Sequence, residues 1–241
     1  MLFQIFESGL SLGQNLILLL IMLCVVLGSI ALHELAHGYV SYIQGDPTAK
    51  RAGRLSLNPF KHLDPVGTVC MIFCGFGWAK AVPVNPRYYK NAKRGMALTA
   101  LAGPLTNLYI GISAVARLTV LVWLWESGAY ANFPLLRNLT QYGYDIITVA
   151  AYIILYYNLL FAVFNMLPIP PLDGSRLLFA FLPDRYYFGV MRYEKLIMLI
   201  MFFLLWTGFF TGVFEFLVNL IINAVGNVVI LLIEGIIKLF T

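Results

Sequence analysis

Ser8-Gly-Leu-Ser-Leu-Gly-Gln-Asn-Leu-Ile-Leu-Leu-Leu-Ile-Met-Leu-Cys-Val-Val-Leu-Gly-Ser-Ile-Ala-Leu32, followed at once by His33-Glu34-Leu35-Ala36-His37, decides how the chain folds. The first stretch carries no charge and exceeds the roughly 20 apolar residues that a membrane-spanning helix needs. The second places two imidazoles one helical turn apart, at i and i+4, where they share a face and can grip one Zn²⁺. The Glu between them is then placed to handle the proton of a zinc-activated water. Ionisable groups are costly in hydrocarbon and usually have a function there. Three of them in five residues, in a chain with only three His and six Glu, point to a hydrolytic zinc site. The bland reading is two satisfied helical histidines with Glu34 as a buried partner.

Composition agrees with the membrane. Hydrophobic residues make up 61% of the 241 residues and charged residues 11%, with a mean hydropathy of +0.83. Soluble domains carry about 25% charged residues. Long uncharged runs exclude a β-barrel, whose strands alternate. The expected fold is an all-α polytopic membrane protein with five to six transmembrane helices. It reads as one domain over residues 1–241, with a core over about 14–182 and C-terminal helices over about 196–237. Cys24, Cys70 and Cys74 have no metal-knuckle spacing and read as small packing residues. The N-terminus lacks a basic flank before its apolar run, so a cleaved signal peptide is not expected. The net charge of +5 does not indicate nucleic acid, because nine of the 16 Lys and Arg fall between Lys50 and Arg94. Basic loops beside spans mark the cytoplasmic side.

Spans are expected over about Gln14–Tyr42, Gly95–Trp125 and Asp145–Met166. Two more apolar segments, Leu196–Thr211 and Val213–Ile237, are split by Gly208-Phe-Phe-Thr-Gly212. Val66–Val82 is apolar but short, and a crossing there would put the basic groups around it on opposite faces. It is therefore expected to be a re-entrant or surface β-hairpin-like segment. Its strand edge could then pair with an extended substrate.

A catalytic zinc takes three protein ligands and leaves a fourth position for water. His62 is the one remaining His, and its basic loop suggests a solvated surface role. Asp173 fits better, within Asn165-Met-Leu-Pro-Ile-Pro-Pro-Leu-Asp-Gly174. Three prolines end the helical bonding there, and irregular backbone at membrane depth belongs beside protein or a water-filled cavity. The first and third spans run in the same direction, so Asp173 and the histidines arrive at one depth. Asn165 reads either as a donor to a substrate carbonyl or as a helix-ending polar residue. Asn107, in Leu101-Ala-Gly-Pro-Leu-Thr-Asn107, reads as facing the same cavity or as packing.

His33-Glu-Leu-Ala-His37 together with Asn165-x-x-Pro168-x-x-x-Leu172-Asp173-Gly174 resembles the site-2 protease family of intramembrane zinc metalloproteases. Leu57-Asn-Pro-Phe-Lys-His-Leu-Asp-Pro-Val-Gly-Thr68, Gly77-Trp-Ala-Lys-Ala-Val-Pro-Val-Asn-Pro86 and Ala102-Gly-Pro-Leu-Thr-Asn107 extend the likeness over about residues 25–180. The resemblance implies His33, His37 and Asp173 as ligands of one Zn²⁺ and Glu34 as the catalytic base. It implies Asn165 and Asn107 as substrate-positioning groups. Ala81 stands where many members have proline, and no PDZ or CBS domain is expected. The implied reaction is hydrolysis of a peptide bond within or next to a transmembrane helix of a membrane protein substrate. The implied place is the cell membrane, assuming a prokaryotic source, with the site toward the cytoplasmic side. A non-catalytic zinc protein that binds helices would need a fourth ligand, which the sequence does not offer. A metal transporter would need relay sites across the bilayer, yet the ionisable cluster keeps to one depth.

Overall fold

The computed structural model of the chain describes residues 11–74, 77–136, 138–182, 189–190 and 192–240. The long helices are α1 (Leu12–Ile43), α4 (Ala92–Glu126), α5 (Gln141–Asn165) and α8 (Thr211–Phe240). Shorter ones are α2 (Thr48–Arg51), α3 (Pro65–Cys74), α6 (Asp173–Phe181) and α7 (Glu194–Trp206). Helix α1 starts on a reciprocal cap: Ser11 N–H donates to Gln14 Oε1, and Gln14 N–H donates to Ser11 Oγ. Asn91 and Thr140 cap α4 and α5 one way, their side chains accepting from the N–H groups of Arg94 and Gly143.

Four helices, α1, α4, α5 and residues 211–235 of α8, are long and apolar enough to cross a membrane. This makes the chain a multi-pass membrane protein. The expected five to six spans reduce to four among the described residues. The shortfall falls on Leu196–Thr211: α7 has 13 residues, about 20 Å, against a hydrocarbon core of about 30 Å. It ends before Gly208, whose φ of 73° suits glycine and breaks the helical path into α8. The expected β-hairpin-like segment also differs. Pro65 opens α3, and the β pairing among the described residues is a single antiparallel bridge, Leu63 with Ala79. Gly75 and Phe76 of that segment lie outside the described residues, as do Ser8 to Leu10 and Arg137.

Helix α4 is the hub, packing on α1, α5, α6 and α8. Its sequence explains why. Gly95, Thr99, Gly103, Asn107, Gly111 and Val115 recur every fourth residue, and all six are buried. Such a row of small residues lets neighbouring backbones approach, which is how helices associate where lipid removes the hydrophobic drive. Facing it, α1 presents Ser29, His33, His37 and Ser41, also every fourth residue and also buried. The polar residues of an otherwise apolar helix thus form an internal stripe. Leu16, Leu20, Leu23 and Tyr39 lie outside it and are exposed. Towards the far end of α4, Ala114 and Val115 pack with Leu155, Leu159 and Val218 as the apolar core.

The α1–α4 connection is pinned by Asp46. This buried carboxylate accepts from Ser41 Oγ (2.8 Å), Thr48 N (2.9 Å), Asn85 N (2.6 Å) and the Thr48 hydroxyl. Burial pushes its pKa up, but these donors outweigh burial and hold it below the usual carboxylate value. Because the folded value is lowered, the ionised form stabilises the fold above pH about 4, and that contribution fades as pH falls further. Thermal unfolding in detergent should therefore show Asp46→Asn less stable than wild type at pH 7, with the gap narrowing by pH 3. An unchanged gap at pH 3 would refute the role of the charge. In the apolar core, Leu159→Ala should cost about 2–3 kcal/mol in a chemical unfolding titration. That is the low end of the soluble range, since lipid rather than water is the reference.

Candidate metal centre

The two facing stripes pair antiparallel, so His37 meets Thr99 and His33 meets Asn107. His37 Nδ1 lies 2.7 Å from the Thr99 carbonyl oxygen, which can only accept, so the ring proton sits on Nδ1. His33 Nδ1 lies 2.5 Å from Asn107 Oδ1 and donates to it. Both Nε2 atoms then present lone pairs, and they lie 3.0 Å apart. Gly103 is what lets the rings sit between these two contacts. A Cβ there would lie 2.6 Å from both Cε1 and Nε2 of His33, and closer still to His37 Nε2.

Asp173 completes the cluster from a third direction. It opens α6, directly after the proline-rich loop that ends α5. Leu172 N–H donates to Ile169 O, and both the N–H and the hydroxyl of Ser175 donate to Leu172 O, so the loop is bonded within itself. Gly174 is required for close approach rather than for a left-handed turn. A Cβ on it would sit 2.5 Å from the Leu167 carbonyl oxygen and would also strike that of Met166. So held, Asp173 Oδ2 lies 3.1 Å from each Nε2.

Three acceptor atoms thus converge within about 3 Å of one another. Bare lone pairs at that separation repel, and either a proton on one Nε2 or a metal ion among them relieves this. Around a tetrahedral zinc with bonds of about 2.0–2.1 Å, ligand atoms stand about 3.3 Å apart, close to what is seen. Two imidazoles and a carboxylate are a donor set that suits zinc. Each of the three residues is at most slightly exposed. Glu34 is buried beside them, and its Oε2 accepts 2.9 Å from the backbone N–H of Val82. Val82 lies in an extended segment anchored at one end by Lys80 N–H on His62 O (2.8 Å) and at the other by Asn85 on Asp46.

The sequence profile described as Peptidase family M50 matches residues 21–208, a span that contains all four of these residues. The chain belongs to peptidase family M50. This agrees with the likeness to the site-2 proteases drawn from its motifs. Among relatives of this M50 chain, YwhC of Bacillus subtilis, described as a candidate zinc metalloprotease, is 40% identical over 157 residues. That stretch covers 62% of this chain and 64% of YwhC. Rip2 of Mycobacterium tuberculosis, described likewise, is 28% identical over 157 residues, 61% of this chain and 51% of Rip2. The zinc metalloprotease MJ0392 of Methanocaldococcus jannaschii is 27% identical over 195 residues, 81% of this chain and 43% of MJ0392. The M50 chain therefore spans between two fifths and two thirds of these relatives. No solved structure matches it.

The structure brings His33, His37 and Asp173 together, with Glu34 alongside. Asn107 joins them, but its carboxamide is occupied: Oδ1 holds His33, and Nδ2 donates to Asn158 Oδ1 at 2.8 Å. Asn165 turns back onto its own helix, donating to Phe161 O at 3.0 Å. His62 is fully buried rather than solvated, and its Nε2 bonds Ser56 O at 2.8 Å. Sequence reasoning missed three partners. The Thr99 carbonyl and the Val82 amide are backbone groups, which no residue type announces. Asn158 was detectable as an isolated amide within an apolar span. If Gly103 makes room for both rings, Gly103→Ala should lower zinc affinity at least tenfold in a chelator competition. Wild-type affinity in that variant would show that α4 does not set the spacing.

Proposed function

We propose that this chain is an intramembrane zinc endopeptidase, holding one catalytic ion and cutting peptide bonds within or next to transmembrane helices of membrane proteins. The observation that carries the reading is the convergence of His33, His37 and Asp173 on one point beside Glu34, inside a bundle of apolar helices. The centre lies 6 to 10 residues before the end of α1 at Ile43, or about 9–15 Å along the helix axis. Peptide bonds at that depth belong to segments within the bilayer or at its edge. Seven of the 16 basic residues lie in the connection that follows α1 and two more, Lys93 and Arg94, in the first turn of α4, which favours the cytoplasmic side for that end.

Zinc held by these ligands supplies Lewis acidity, polarising a carbonyl and bringing the pKa of a water toward about 7. The chain's own groups do the rest. Glu34 removes a proton from the attacking water and passes it to the leaving amine nitrogen, so the carboxylate is regenerated each cycle. The Val82 amide fixes Oε2 in place, and Oε1 takes no hydrogen bond among the described residues, leaving it for the water. Asn165, at the end of α5, is assigned to the substrate carbonyl after releasing Phe161 O. The substrate helix must unwind locally, because helical hydrogen bonds shield its carbonyls from attack.

The test compares new protein termini, by mass spectrometry, in membranes of cells carrying this chain or Glu34→Gln. Termini inside transmembrane segments that depend on Glu34 are expected, with turnover falling about 10²–10⁴-fold in the variant while zinc is retained. Matching sets of termini from two zinc-loaded proteins would contradict proteolysis.

A further inference from the structure

His33 can ligate a metal through Nε2 only if its proton is on Nδ1, and that depends on which end of the Asn107 carboxamide faces it. Were Asn107 turned over, Nδ2 would donate to Nδ1, the ring proton would move to Nε2, and the ligand lone pair would be lost. Asn107 is fully buried, so water does not set its orientation. Its far end meets Asn158, also buried, which could turn over too.

The polarity is fixed one step further on. Asn158 Nδ2 lies 2.8 Å from the carbonyl oxygen of Ile154, four residues back on α5, and 2.9 Å from Ser29 Oγ. A backbone carbonyl can only accept, so the Asn158 end that faces it must be the NH₂. Its Oδ1 therefore faces Asn107, which must donate through Nδ2 and accept from His33 through Oδ1. We infer that Asn158 is a positioning residue for the metal centre. It transmits the polarity of the Ile154 carbonyl through Asn107 to His33 and so holds the Nε2 lone pair free for the ion. His37 achieves the same end in one step, on the Thr99 carbonyl. The relay Ile154–Asn158–Asn107–His33 crosses α5, α4 and α1, with each donor meeting an acceptor. The inference rests on the zinc reading above.

The experiment measures zinc affinity by chelator competition on the purified full chain in detergent, with the visible spectrum of the cobalt-substituted protein as a second readout. Asn158→Leu should weaken zinc binding about 10–100-fold, the usual cost of losing an outer partner of a ligand, and should alter the cobalt bands. Asn107→Asp offers oxygen acceptors whichever way it turns. In that background, Asn158→Leu should cost less than about threefold, a rescue that mere packing damage would not show. Asn158→Asp covers the case in which the Leu variant fails to fold. Its carbonyl still accepts from Asn107, and its protonated oxygen can donate to Ile154, so affinity should stay near wild type. Wild-type affinity in Asn158→Leu, an equal loss in both backgrounds, or a full loss in Asn158→Asp would each overturn the relay. A wild-type chain that binds no zinc would overturn the metal centre itself, and the relay with it.

Discussion

Two imidazole lone pairs and a carboxylate oxygen, brought within about 3 Å of one another inside a membrane bundle, repel unless a cation lies between them. Much of the packing around this point can be read as the means of creating that crowding. Gly103 gives the rings room, Gly174 lets the proline loop fold onto the carbonyls of Met166 and Leu167, and that loop delivers Asp173. Hydrogen bonds at both Nδ1 atoms keep protons out of the shared space. Each histidine is oriented by a partner on α4, Asn107 for His33 and the Thr99 carbonyl for His37.

The labour is divided by helix. Helix α1 carries two of the three converging groups and Glu34, while α4 contributes none of them yet orients both histidines from a single row of residues four apart. Helix α5 contributes through Asn158 and through the loop that follows it. Polar groups in lipid must be satisfied internally, and here that requirement and the metal site are met by the same bonds. The chain between α1 and α4 adds a second layer. Residues 80–85 are held at His62, Glu34 and Asp46, tying Glu34 to the loop region outside the span.

Much of this was readable from residue types. The uncharged run before His33 specified a spanning helix, and the i, i+4 histidines specified a shared face. The prolines before Asp173 marked backbone that had to lie beside a polar site, and agreement of depth followed from the direction of the spans. What could not be read were partners set by backbone. Thr99 and Val82 act through backbone groups that nearly all residue types share, and His62 is buried by surroundings that its basic neighbours conceal. The short α3 and α7 were misjudged for one reason: apolar runs of 10–17 residues fit a strand, a short helix or a partial crossing, and only tertiary packing decides among them.

X-ray absorption at the zinc edge of the purified chain reads the metal's neighbours themselves. One zinc per chain is expected, with two imidazole nitrogens and one carboxylate oxygen at about 2.0–2.1 Å and a light-atom fourth neighbour that exchanges with solvent. Zinc ligated by sulfur, by a single imidazole, or by four protein groups with no exchangeable position would contradict it.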